Sequence, residues 1–127
     1  MSKEFSDLQK KAEAVGLKLS VVLPLQELRK ANVERCETSF KHSINDWSPA
    51  EWAMATTGEL GELCNLLKKR HRGEEINQKD IADEIADTLI YLDLLAACLG
   101  IDLTEAVISK FNEVSIRVGS DIRIGEY

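Results

Sequence analysis

The stretch from Gly58 to Asp93, GELGELCNLLKKRHRGEEINQKDIADEIADTLIYLD, decides the fold. It carries two short acidic pairs, Glu59 with Glu62 and Glu84 with Asp87. Each pair is spaced i,i+3, so on a helix both carboxylates point to one side. At about 100° per residue, Glu59 and Glu62 fall in the sector of Trp52, Ala55, Leu63 and Leu66. Glu84 and Asp87 share a sector with Ile81, Thr88, Tyr91 and Leu95. The acids therefore interrupt apolar faces instead of lying on polar ones. Two helices joined by a basic, Gly-containing turn are expected here.

Acids on an apolar face are costly. Carboxylates held together out of water repel one another and tend to take up protons. A divalent cation removes both costs, and an all-oxygen set suits Mg²⁺, with Mn²⁺ as the alternative, over Zn²⁺. Solvated helix charge is the plain alternative for any one such pair. Two pairs, each inside an apolar stripe, favour a metal centre built from Glu59, Glu62, Glu84 and Asp87.

Outward from this stretch the chain reads as helix after helix. Ser48-Pro49-Ala50-Glu51 is a helix start, with Ser as cap, Pro in the first turn and Glu at the third position. That helix runs to about Arg72, where Gly73 ends it. The next starts at Asn77 or Asp80 and stops at Gly100. Beyond Ile85 it is apolar almost all round, which predicts a surrounded, central helix or one buried by a second subunit. Asp93 faces the other way and is a candidate to pair across an interface. Asp102 opens the last long helix, to about Val118. Upstream, a helix spans about Pro24–Phe40, with Leu25, Leu28, Asn32, Cys36 and Phe40 on one face. Phe5, Leu8, Ala12 and Val15 predict a short helix ending at Gly16. Residues 20–23 read as a link, and the tail 119–127 as a polar segment draped on a partner. The expected class is all-α: a four-helix-bundle-like core with a short extra N-terminal helix, completed by dimerisation. The expected division is an N-terminal extension, residues 1–23, and one domain, residues 24–127.

Composition agrees with this reading. The chain has 127 residues, 44% hydrophobic and 30% charged, as a single globular domain does. A net charge of −6 argues against a non-specific nucleic-acid binder. It does not exclude a nucleotide, because a bound cation reverses the local sign. Cys36, Cys64 and Cys98 have no zinc spacing and are expected as buried free thiols in a reducing cytoplasm. No signal peptide and no membrane-spanning run is read. There is no Gly-rich P-loop, and no Glu-x-x-His pair for a di-iron bundle.

Trp47 and Trp52 bracket the Ser48 helix start. Either packs in the core or stacks on a nucleobase. His42, in the same loop, is a candidate to hydrogen-bond a base. Lys69 and Arg70 belong to the run Lys68–Arg72, which suits a helix C-terminus; the alternative is that they balance the acids or hold phosphate. Lys110 and Arg117 enter the apolar stripe of the last helix, either as snorkelling stems or as phosphate-binding heads.

GELGEL, the basic stretch KKRHRG and then ADEIADTLIYLDLLA resemble the MazG-like group of all-α nucleoside triphosphate pyrophosphohydrolases. That family carries an ExxE followed by an ExxD, as Glu59/Glu62 and Glu84/Asp87 do here. The resemblance runs from about Leu25 to the C-terminus. It implies a Mg²⁺-dependent release of nucleoside monophosphate and pyrophosphate, serving to clear non-canonical or surplus nucleotides. It implies nucleoside binding before the ExxE, and phosphate contact by a basic residue on the last helix, where KFNEVSIR matches. The Asn that usually follows the Lys is out of place, since Asn112 falls on the far side of the wheel. The implied partners are a nucleoside triphosphate and a second copy, as a homodimer or a dimer of dimers. Two rival readings are a phosphoribosyl-ATP pyrophosphohydrolase and a non-catalytic, metal-stabilised assembly module.

Overall fold

A computed structural model describes residues 3–18 and 22–125, the side chain of Phe5 excepted. It contains α1 (Lys3–Ala14), α2 (Leu25–Thr38), α3 (Pro49–His71), α4 (Gln78–Cys98) and α5 (Leu103–Arg117), and no strand among the described residues. The all-α expectation holds. Ser20 and Val21, in the expected link, lie outside the described residues.

The helix boundaries follow local chemistry. Ser48 Oγ accepts from Glu51 N at 3.2 Å, and Pro49 occupies the first turn of α3. Asn77, not Asp80, caps α4: its Oδ1 accepts from Lys79 N at 3.0 Å. Asp102 Oδ1 accepts from Glu105 N at 3.2 Å and opens α5. These caps satisfy amide groups that a helix leaves without intrahelical partners. Gly73 (φ 93°) closes α3 in the left-handed region that a side chain would strain.

Packing is organised on α4. Helix α3 lies along it as a hairpin partner, α2 packs on another side, and α5 rests on α2. The core is small: Cys36, Trp52 and Leu94, ringed by Ile44, Trp47, Tyr91, Leu95 and Cys98. The loop between α2 and α3 contributes Ile44 and Trp47 to that ring.

Four expectations are corrected. Helix α4 is not surrounded within the chain, since Ile85, Leu89, Leu92 and Leu99 remain exposed. Asp93 does not wait for a partner subunit. It is fully buried, with Arg29 Nε donating to Oδ1 at 2.9 Å and Asn32 Nδ2 to Oδ2 at 3.1 Å. A helical wheel shows which way Asp93 faces but not that α2 lies there. The tail lies on its own helix α5: Asn112 Nδ2 donates to Ile124 O, and Ile124 N donates to Asn112 Oδ1, both at 2.9 Å. Asn112 thus acts as a backbone clamp. Finally, only Cys36 is buried; Cys98 is half-buried and Cys64 exposed. Burial pushes the Cys36 thiol up, and the charges of Glu37 and Asp46 add to this, so it is an inert thiol.

Candidate metal centre and nucleoside cavity

The α3–α4 hairpin turns its two acidic pairs toward each other. One oxygen from each of Glu59, Glu84 and Asp87 lies within 4.8 Å of the others. Glu59 and Glu84 are half-buried and Asp87 is exposed. Glu62, exposed, is outside this trio but still acts on Glu84.

Glu84 is the strained member. Its Oε2 is out of reach of water and has no hydrogen-bond partner. Loss of water is the first cause that pushes its pKa up to about 7; the carboxyl of Glu59 and the charge of Glu62 add to it. Among the described residues no Lys or Arg forms an ion pair with any of the four acids. A buried orphan oxygen in an all-carboxylate set fits a hard divalent cation.

This gives a pH expectation for the metal-free protein. Glu84 deprotonates near 4.5 in the unfolded chain and near 7 in the folded one. Between these values the folded state holds a proton that the unfolded state has lost. Stability therefore falls as pH rises from about 4.5 to about 7 and then levels. Added Mg²⁺ should displace that proton and cancel the fall. Urea titrations across this range, with and without Mg²⁺, check it; a flat metal-free profile would contradict the assignment.

Beside the acids lies a cavity of about 510 Å³. Helix α2 contributes Arg35, Cys36 and the following Phe40; the loop His42 and Trp47; α3 Trp52; and α4 Asp87, Ile90, Tyr91 and Leu94. His42 stacks on Trp47 with centroids 5.4 Å apart and planes 18° apart, and on Trp52 at 5.9 Å and 26°. Trp47 and Trp52 meet at 4.4 Å. Trp52 is 2% exposed, and its Nε1 donates to Ile44 O at 2.8 Å. Its polar edge is thus spent holding the loop, and only its ring is offered to the cavity. Lys41, just before His42, has φ 58°, a left-handed value uncommon outside Gly. That residue turns the chain from α2 back across the cavity. Asp87 belongs both to the acidic trio and to the cavity wall, so the two are one continuous site.

The basic candidates are not gathered there. Arg70 Nη1 donates to Gln78 Oε1 at 3.2 Å, at the hairpin end with Glu74, Glu75, Ile76 and Asn77. It shares a wheel sector with Glu59 but lies eleven residues further on, about 16 Å along the helix. Lys69 is exposed on the same last turn. Lys110 Nζ pairs with Glu113 Oε1 at 2.9 Å and borders an apolar groove with Val107, Phe111 and Val114. Arg117 is exposed at the end of α5. Neither Lys110 nor Arg117 hydrogen-bonds to the acids in this chain.

Sequence reading did not single out Arg35, Phe40 or Tyr91 for the cavity. Tyr91 was findable, since it follows Asp87 by one helical turn. Arg35 and Phe40 were not, because α2 meets α4 only in the fold. The Arg35 guanidinium sits 5.7 Å from the Phe40 ring centroid.

Fold and site together define an all-helical protein with a carboxylate centre opening into an aromatic cavity. No family model matches the chain. It is similar to dCTP pyrophosphatase 1 of Rattus norvegicus, Homo sapiens and Mus musculus, each 33% identical over 92 residues, which take in 64% of this chain and 54% of theirs. The chain thus spans about half the length of these curated relatives. No helix of the described residues is long and apolar enough to cross a membrane.

Proposed function

We propose that the protein is a Mg²⁺-dependent nucleoside triphosphate pyrophosphohydrolase that clears surplus or non-canonical nucleotides. The observation that carries this reading is the position of Asp87, shared between the acidic trio and an aromatic cavity. The similarity to proteins named dCTP pyrophosphatase supports it and makes a pyrimidine deoxynucleotide the first substrate to try.

Glu59, Glu84 and Asp87 would hold the cation, with Glu62 completing the set. When bound, Mg²⁺ would neutralise phosphate charge, help orient the phosphate and lower the pKa of water. The chain's own residues do the rest. Trp47, half-buried, offers a ring face to the base, Trp52 backs it from the core at 4.4 Å, and His42 and Tyr91 offer polar edges. The base thereby places the phosphates over Asp87. A carboxylate not used as a ligand accepts the proton of the attacking water. The test is a panel of canonical and modified triphosphates assayed for pyrophosphate release with Mg²⁺, Mn²⁺ and chelator. Turnover of at least one that stops with chelator is expected. No turnover of any would favour the non-catalytic assembly module.

The uncovered apolar surface supports a homodimer. On α4 and its C-cap, Ile85, Leu89, Leu92 and Leu99 are exposed and repeat at spacings of four, three and seven. At about 100° per residue they face away from the cavity residues Asp87, Ile90, Tyr91 and Leu94. Leu60 and Leu67, one heptad apart on α3, are exposed beside them. Two such helices on one flat face can close on a second copy as a four-helix bundle. Light scattering at micromolar concentration should give the dimer mass or a multiple of it. The Leu89→Glu variant should give a monomer; a monomeric parent protein would refute the arrangement.

A further inference from the structure

The cavity has two walls that share no covalent neighbourhood. Helix α2 brings Cys36 and Arg35 to it, and α4 brings Asp87, Ile90, Tyr91 and Leu94. One polar network joins these walls. Asn32 lies one turn before Cys36 and is 4% exposed. Its Nδ2 donates to Ile90 O at 2.9 Å and to Asp93 Oδ2 at 3.1 Å. Arg29, a further turn back, donates from Nε to Asp93 Oδ1 and from Nη2 to Ile101 O, each at 2.9 Å. Ile90 is thus held by its carbonyl while its side chain lines the cavity.

Apolar contact between two helices is non-directional and tolerates small slides and rotations. A buried, fully paired polar network does not, because a shift leaves a desolvated donor or charge without a partner. The acids need no such lock, since all of them come from the α3–α4 hairpin, and α2 contributes none.

We propose that Asn32, Arg29 and Asp93 are positioning residues: they fix the register of α2 on α4, and so set the width of the nucleoside cavity without acting on the carboxylate centre. The proposal rests on reading this cavity as the nucleoside site. It divides the protein into a hairpin that holds metal and a helix–helix lock that selects the base.

Trp47 and Trp52 are the only tryptophans in the chain, and both line the cavity, so tryptophan fluorescence reports its occupancy directly. The four common deoxynucleoside monophosphates are titrated in chelator into the wild type, Asn32→Ala and Arg29→Lys, all well below their unfolding temperatures. Calorimetry measures Mg²⁺ affinity of the same proteins. In Asn32→Ala the tightest monophosphate should bind about tenfold more weakly, the scale expected when a binding surface is displaced by a fraction of an ångström. Mg²⁺ affinity should stay unchanged. Arg29→Lys, which keeps the charge but not the two-pronged contact, should fall between, and it serves if Asn32→Ala does not fold. In turnover, KM should rise with kcat retained. Unchanged monophosphate affinity in a folded variant would overturn the lock, as would parallel losses of monophosphate and Mg²⁺ affinity. If no monophosphate perturbs wild-type fluorescence, the nucleoside reading of the cavity fails, and the lock's role in selecting a base fails with it.

Discussion

In the Glu59→Gln variant, pyrophosphate release should fall by roughly 10²–10³-fold, the loss typical of removing one preorganised electrostatic group. Gln has nearly the same shape, so α3 keeps its helix and its packing on α4. What changes is charge. Glu59 is half-buried, one of the three acids whose oxygens converge within 4.8 Å, and a direct neighbour of Glu84. With Gln at this position a bound cation would lose one anionic ligand, and the Glu84 carboxyl loses one negative neighbour. Two measurements separate these effects. Mg²⁺ affinity should weaken in calorimetry, and the metal-free protein should become slightly more stable near pH 7, because repulsion is relieved. Asp87→Asn should lose turnover to a similar degree. It should also weaken the response of Trp47 and Trp52 fluorescence to a triphosphate, since Asp87 alone of the acids lines the cavity. Retained turnover in either variant would remove the acids from the mechanism.

The Asp93→Ala variant should lose about 3–5 kcal/mol of stability, the usual cost of removing one partner from a buried ion pair. Asp93 is 0% exposed, and both of its oxygens are paired. Its removal leaves the Arg29 Nε and one Asn32 contact without an acceptor and opens a gap between α2 and α4. For a domain whose whole stability is about 5–15 kcal/mol, this is a large share. Urea unfolding followed by circular dichroism gives the number. A loss below about 1 kcal/mol would place the pair among weak surface bridges. By contrast, the exposed pairs Lys79–Asp83 and Lys110–Glu113 should contribute little, because both members of each are solvated.

The helices themselves were legible in the chain. Ser48-Pro49 before α3, Gly73 after it, and Asp102 before α5 are local signals, and the amides and carbonyls they serve lie within a turn of them. The convergence of Glu59 with Glu84 and Asp87 was also accessible. Two i,i+3 pairs on apolar faces of adjacent helices have one way to hide those faces, which is against each other. The direction of a residue on one helix says nothing of what stands opposite. The wheel therefore turns Asp93 away from the acids and suggests a partner across an interface, whereas α2 of the same chain supplies Arg29 and Asn32 to it. Arg70 shares a wheel sector with Glu59, but a wheel discards position along the axis, and Arg70 lies at the far end of the hairpin.

The sequence alone thus determined the helical class, the boundaries of its longer elements and the acids that meet on one hairpin. These depend on contacts between near neighbours and on the hiding of periodic apolar stripes, both of which are written in residue order. Only the tertiary structure decided that α2 closes the aromatic cavity, that an ion pair locks it there, and that one face of α3 and α4 stays uncovered. Such features arise from pairs far apart in the chain, such as Arg29 with Asp93, 64 residues away. Which distant helix fills a given groove depends on how the side chains of all the elements fit together, and no local pattern carries that information.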